Sequence, residues 1–460
     1  MRSIKYLAGA LILMFAATAF AADPYIESVE EITAGNFFGY GARQMAMGGT
    51  GMMTIDGTAL FYNPANLARI PRIEFNFGLS HQKYQDASSV RPVRRLVYDD
   101  VIPTATVMAG RFEGFTSIAG SAENSKTNTR INSAILSIPY PTYRGSLVIG
   151  LGVVRTADFD KIFDMYYRDD TASGGVITGA GHEFQSGGLY QWGAGFGLDL
   201  SPRISFGGMA FVYTGKHEYN WEYSLDSLGV YHYQLQQYIE DKYLGFGGKI
   251  GLAMQLSQYI ALGLAVESPV VLNVEENSSN SSSIYSTDSG LSNDDWTNYV
   301  KYDVKRPFVF SAGMTASIQD ATLALDLDYT DWSQLAYGDN PDMEADNGKI
   351  KTYYKDALRC RVGGEYVFPA MGLSLRGGFF TDPLPYKAEF QNRSRYGYTL
   401  GFGVLVDQVM TIDFAYLHGS YGRNSDFTYA SSDDGRILHN FIIDEDIKYN
   451  RIYLTAAYRF

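Results

Sequence analysis

Counting by two from the C-terminus, Ile452, Leu454, Ala456, Tyr458 and Phe460 fall on one face of an extended chain. Arg451, Tyr453, Thr455, Ala457 and Arg459 fall on the other. The same alternation sets Leu323, Leu325, Leu327 and Tyr329 against Asp326 and Asp328. It sets Tyr396, Tyr398, Leu400, Phe402, Val404 and Val406 against Gly397, Thr399, Gly401 and Gly403, and Ile260, Leu262, Leu264 and Val266 against Ala261, Gly263, Ala265 and Glu267. One such strand fits any half-buried sheet, but an apolar face in strand after strand calls for an apolar medium around a closed cylinder. A secreted sandwich or propeller is the competing all-β architecture. A propeller of this length carries a repeat of roughly 40–50 residues, and none is present.

Tight turns at Leu200–Ile204, Leu256–Ile260, Phe368–Gly372 and Val406–Met410 alternate with long polar stretches. The stretches are Tyr84–Thr129, Asp158–Ser186, Trp221–Lys242, Asn273–Val300, Gln334–Asp356, Asp382–Arg395 and Ser420–Lys448. Short turns on one rim and seven long outer loops on the other predict an antiparallel transmembrane β-barrel of about 14 strands. Val101–Ser121 reads either as part of an outer loop or as an extra hairpin turning at Glu113-Gly114, which would raise the count to about 16.

Composition sharpens the class. Arg2 and Lys5, the apolar run Tyr6–Ala17 and the Ala19-Phe20-Ala21 site predict a signal peptide over residues 1–21. Removing it takes the net charge from −13 to −15 (−13 minus the two lost cations), which disfavours nucleic acid as a partner. The single Cys360 excludes an intramolecular disulfide framework and leaves no cysteine for a lipoprotein anchor after the cleavage site. A chain with 36 Tyr and 48 Gly and an export signal fits the outer membrane of a Gram-negative-type bacterium. Its final strand, ending on Phe460, resembles the signal read by the barrel assembly machinery, and its outward face expects outer-membrane lipids.

The predicted inward positions are mostly Gly, Ala, Ser and Thr, with charges at Asp326, Asp328, Arg376, Arg451 and Arg459. A barrel of this size otherwise leaves an aqueous channel, so the small residues make room for a plug. The one long segment before the first strand supplies it, giving residues 22–71 as an N-terminal hatch and 72–460 as the barrel. In the stretch Asp56–Ile70, Thr58–Tyr62 is expected to form a short helix that Asn63-Pro64 ends, with the Asn63 side chain bonding the turn. That stretch reads either as the positioning turn into the barrel or as a ligand contact.

Gly39–Ile70 resembles the hatch of the FadL/TodX family of outer-membrane transporters for long-chain fatty acids and other hydrophobic compounds. Gly41-Ala42-Arg43, Gly48-Gly49, Asp56 and Asn63-Pro64-Ala65 fall on that pattern in order, and Tyr329–Leu335, Arg361–Pro385 and Ile138–Arg155 agree with later parts of it. The resemblance implies a monomeric barrel, no enzymatic activity, no cofactor or metal, and passive diffusion of a hydrophobic small molecule. It implies hatch and gating roles for Gly48, Gly49, Asp56, Asn63, Pro64 and Ala65. It also implies lateral release at a kinked third strand, where Ser146–Thr156 offers Gly150 and Gly152 as the kink or as ordinary wall packing. In the third outer loop, Leu228, Tyr231, Leu235 and Tyr238 stand at helical spacing and suit either ligand capture or capping. The cationic head-group residues of the family have no aligned counterpart here, leaving Arg155, Arg361 and Arg376 as candidates.

Other classes remain as alternatives. A PorV-like shuttle or scaffold of a secretion system shares hatch and barrel. A general porin lacks an explanation for the N-terminal segment. A hydrolase finds no support in His81, His182, His217, His232, His418 or His439, none of which stands in a metal or nucleophile motif.

Overall fold

A computed structural model describes residues 39–92, 94–97, 111–115, 119–143, 145–170, 176–227, 231–287, 290–387, 395–431 and 437–460. The expected signal peptide and the first residues of the expected hatch lie outside these. Fourteen antiparallel strands close into a barrel. They are β1 (Glu74–Pro92), β2 (Gly120–Tyr140), β3 (Leu147–Asp158 with Lys161–Asp170), β4 (Val176–Ser201), β5 (Ile204–Ser227), β6 (Tyr231–Gln255), β7 (Ile260–Glu267 with Val270–Ser286), β8 (Gly290–Arg306 with Val309–Ile318), β9 (Ala321–Asp331), β10 (Asp356–Phe368), β11 (Leu373–Asp382), β12 (Arg395–Val406), β13 (Met410–Ser431) and β14 (Ile437–Arg459). β1 pairs with β14 from Glu74↔Arg459 upward, which seals the cylinder.

The alternation read from the sequence is the wall's own geometry. Leu323, Leu400, Phe402 and Leu454 are exposed on the outside, while Ala324, Asp326, Thr399 and Thr455 are buried within. Large apolar side chains outside and small or polar ones inside require a lipid environment, and a closed barrel is the form in which strands cross one. At the short-turn rim, Asp407 and Gln408 both take positive φ (48° and 58°) and the Val409 N–H donates to the Val406 carbonyl (3.1 Å), a mirror-image turn within the three residues that separate paired Val406 and Met410.

Three expectations change. Most of the polar stretches assigned to outer loops are strand: β4, β5 and β6 run for 26, 24 and 25 residues, far beyond the roughly 9–11 a bilayer requires. The helical stripe in the third loop is likewise strand, which puts Leu235 inside and Tyr238 outside; Leu228 lies outside the described residues. Glu113-Gly114 is not a turn. Arg111–Phe115 pairs with Arg94–Val97, which itself adds to β14, so the segment extends existing strands and the count stays at fourteen.

Interruptions in β7 and β8 fall at Pro269 and Pro307, residues that cannot donate to a sheet ladder. Inward glycines make room for the segment inside. A Cβ on Gly363 of β10 would stand 2.2 Å from the Met47 carbonyl oxygen. Gly363→Val is therefore expected to destabilise the protein by about 1–3 kcal/mol, the usual cost of overpacking, read as a lowered midpoint in urea unfolding from lipid vesicles. Gly364→Val, which points outward, should leave the midpoint unchanged.

Candidate functional site

The lumen is occupied by Gly39–Ile70, a segment with little regular structure of its own: α1 (Ala42–Ala46), α2 (Ala59–Tyr62) and a 3-10 turn over Pro64–Arg69. Asn63 is extended (φ −148°, ψ 100°) and ends α2, and its side-chain Oδ1 accepts from the Ala65 N–H at 3.2 Å. Helices this short leave most of their backbone groups unpaired, so the wall must supply partners. Thr455 Oγ1 accepts from the Ala42 N–H (2.8 Å), and Asn132 Oδ1 from Gly41 (3.2 Å). Thr399 Oγ1 accepts from Gly48 (2.8 Å) and donates to the Ala46 carbonyl (3.0 Å). Asp326 Oδ2 accepts from Gly51 and Met52 (2.6 and 2.9 Å), Glu74 Oε1 accepts from Gly57 (2.7 Å), and Arg361 Nη1 donates to the Gly49 carbonyl (3.0 Å). Asn63 Nδ2 donates to the carbonyls of Met52 and Leu252, tying the segment to β6.

Every strand of the barrel meets the segment. The remaining contacts come from inward Gly150, Gly197, Gly207, Gly263, Gly313 and Gly378, and from Ala415 beside Ala46. The two halves of the wall hold it differently. From β9 round to β2 the hold is polar, with Arg43 paired to Glu365 (2.8 Å), and Glu365 in turn held by Arg376 (2.5 Å), which also binds Asp413 (2.6 Å). Over β3 to β5 it is apolar: Leu60, Phe61 and Leu67 pack against glycines, Val148 and Met209.

Above the segment the inner wall turns aromatic. Trp221 stacks with Phe163 and Tyr223 (centroids 6.4 Å in each case), and the hydroxyls of Tyr167 and Tyr223 bond at 2.6 Å. The connection between β9 and β10 folds into the mouth and sets Trp332, Ile350 and Tyr354 in the same apolar cluster as Phe61 and Tyr213. An apolar lining thus runs from the mouth to α2.

The wall departs from regular pairing at β3. β2 and β3 pair from Tyr140↔Leu147 to Ser133↔Val154 and then part. Among the described residues, only the Ala119–Arg168 bridge joins them above that point. β3 breaks at Phe159 and Asp160 and leans inward, where Ile162 packs with Tyr84, Leu417 and Tyr449 and Asp158 approaches Arg451 (3.9 Å). Side chains cross the resulting gap: Asn124 donates to Asp164 (2.7 Å), Lys126 and Arg130 pair with Asp160 (3.0 and 3.2 Å), and Asn128 also bonds Asp160.

The expected residues fall as follows. Gly48, Gly49, Asp56, Asn63, Pro64 and Ala65 all lie in the segment; Gly48 and Gly49 have positive φ (73° and 81°), and Asp56 accepts from Gln44 (2.7 Å) and Thr58 (2.9 Å). Gly150 and Gly152 are not the break, since both pair without irregularity on either side. The permissive residue is on the neighbouring strand: Gly187 of β4 has φ 130°, accepts from the Phe159 N–H and from Arg155, and would put a Cβ 2.0 Å from the Lys216 carbonyl oxygen. Ser186-Gly187-Gly188 was the available signal. Arg155, Arg361 and Arg376 are held in pairs with Asp158, Asp328 and Glu365, and Tyr231, Leu235 and Tyr238 do not share a face.

No family model and no curated protein sequence matches the chain. Solved structures do. A FadL homologue of Pseudomonas aeruginosa superposes with a TM-score of 0.57 at 14% identity, covering 93% of this chain and 100% of that one. The P. putida toluene transporter TodX gives 0.55 at 14% (92% and 99%), and the Ralstonia pickettii toluene transporter TbuX 0.51 at 14% (92% and 99%). This chain has their fold.

Glu365 carries the polar side of the grip. Glu365→Ala leaves Arg376 buried with one partner fewer and releases Arg43, a loss of about 3–5 kcal/mol for a broken buried pair. The expected outcome is frequent large openings in planar bilayers where the parent shows a closed baseline; an unchanged baseline would show that the pair does not hold the segment.

Proposed function

We propose that the protein is an outer-membrane channel for passive uptake of small hydrophobic compounds, with Gly39–Ile70 as its hatch and the gap between β2 and β3 as its lateral exit. The observation that carries this reading is the conjunction of a lumen filled down to α2 with a wall unpaired on one side. A solute entering at the aromatic mouth meets the segment below it, and the unpaired edge of β3 offers a sideways route into the bilayer. The neighbours described as toluene transporters and as a monoaromatic hydrocarbon channel support an uncharged aromatic cargo. The pairing of all three candidate cations with wall carboxylates supports it too, because an acid head group would have to displace a carboxylate to reach one.

Lys126, Arg130, Asn124 and Asn128 on one side and Asp160 and Asp164 on the other act as a polar zipper over the exit. Asp160 is buried, so these are not weak surface pairs; its contact with Arg155 on its own strand (3.5 Å) keeps the carboxylate partnered when the pairs across the gap part. A disulfide tests the route. Asn128→Cys with Asp160→Cys, in a Cys360→Ser background, joins two side chains already in contact across the gap. Oxidised, the variant is expected to lose uptake of a radiolabelled hydrocarbon into cells, and reduction should restore it. Full uptake with the bridge closed would rule out release through this gap.

A further inference from the structure

On the outer face, directly below the gap, the register of four strands builds a trough. Ala194 of β4 pairs with Leu151 of β3 and with Ala210 of β5, and Ala210 pairs with Gly248 of β6. One step toward the mouth the same strands present Val153, Trp192, Val212 and Phe246. One step toward the short turns they present Ile149, Phe196, Gly208 and Ile250. Small Ala194 and Ala210, beside Leu151, leave a groove of about 610 Å³ under the upper row, bounded on its β1 and β2 side by Phe75, Ala134 and Leu136, and no charged residue lines it. That volume lies within the roughly 300–1,000 Å³ of small-molecule sites.

Two features make it more than a dent in a lipid-facing wall. The Trp192 indole is fixed, its Nε1 donating to Thr214 Oγ1 at 2.9 Å, so one side of the trough is a preset aromatic face. The trough also adjoins the exit. Ala134 and Val153, which line it, stand one residue from Ser133 and Val154, where pairing between β2 and β3 ends.

We propose that this trough is a binding site for an uncharged hydrocarbon or arene, receiving the cargo on the membrane side of the gap before it disperses into the bilayer. The inference rests on the lateral route proposed above. Cargo is the occupant, rather than the acyl chain of a lipid, because the trough is continuous with the gap and its fixed aromatic face, with no charged residue in the lining, suits a small arene.

Trp192 reports on the site. Of the four tryptophans, Trp221 and Trp332 are buried inside and Trp296 stands on the outer extension of β8. Replacing these three by Phe leaves Trp192 as the sole emitter in the full chain, reconstituted in phosphatidylcholine nanodiscs and titrated with bromobenzene. The expected result is saturable quenching at position 192. A probe at lipid-facing Leu400 (Leu400→Trp with all four native tryptophans replaced by Phe) should show only the linear quenching of bromobenzene dissolved in the bilayer. Ala194→Phe, which fills the trough from its lipid side, should abolish the saturable part and slow hydrocarbon uptake. Linear quenching of equal slope at both positions overturns the proposal, as does saturable quenching by a lipid with brominated chains that unbrominated toluene fails to relieve. Failure of the parent protein to take up hydrocarbon would instead overturn the release route, and normal uptake with no saturable quenching would overturn the trough alone.

Discussion

The molecule turns on keeping an irregular stretch of backbone inside a barrel without stranding its polar groups. A cylinder of fourteen strands satisfies its own amides, but α1, α2 and the turns joining them cannot. Unpaired buried amides cost more than any single contact returns. Thr455, Asn132, Thr399, Asp326, Glu74 and Arg361 meet that demand one group at a time. The wall therefore fixes where each turn of the segment lies. Glycines on the opposite side, Gly197 and Gly207, let the Pro64–Arg69 turn approach backbone to backbone, so the segment is bonded along one flank and packed along the other.

The same division shapes the proposed route for a solute. The apolar cluster that reaches from Trp332 and Tyr354 at the mouth to Phe61 also takes in Val154, Phe159 and Leu189, where β3 bends in and loses contact with β2. The bonded flank lies across from it. On the proposed route, a cargo that follows the apolar lining is led toward the unpaired edge and away from the charge pairs that seat the segment.

Much of this was legible in the chain. Inside the bilayer, Leu454 outside and Thr455 inside follow the period-two rule, and the Asn63-Pro64 break was readable from backbone restrictions alone. The outer halves of the strands were not, because the rule changes sign there. In β5 and β6 Trp221, Tyr223, Tyr233 and Leu235 point inward while Glu222, Ser224, Gln234 and Gln236 face water, so the window average looks like a polar loop and the apolar set mimics a helix. The break in β3 was missed for a different reason. Ala157-Asp158-Phe159-Asp160 contains no glycine or proline, and the departure is held by Arg155 with Asp158 and Asp160 and permitted by Gly187 on the next strand. A pattern confined to one strand cannot report a property that belongs to a pair.

The bond from the Ala42 amide to Thr455 joins positions 413 apart in the chain. Contacts of that sequence separation are the slowest for a chain to find, and this one needs both a folded N-terminal turn and the last strand in register. Synthesis delivers those two parts at opposite ends of its course, so the seat cannot be complete until the strand that closes the cylinder is in place. Seating the segment is then the last act of assembly, and a seated segment is itself the mark of a finished wall.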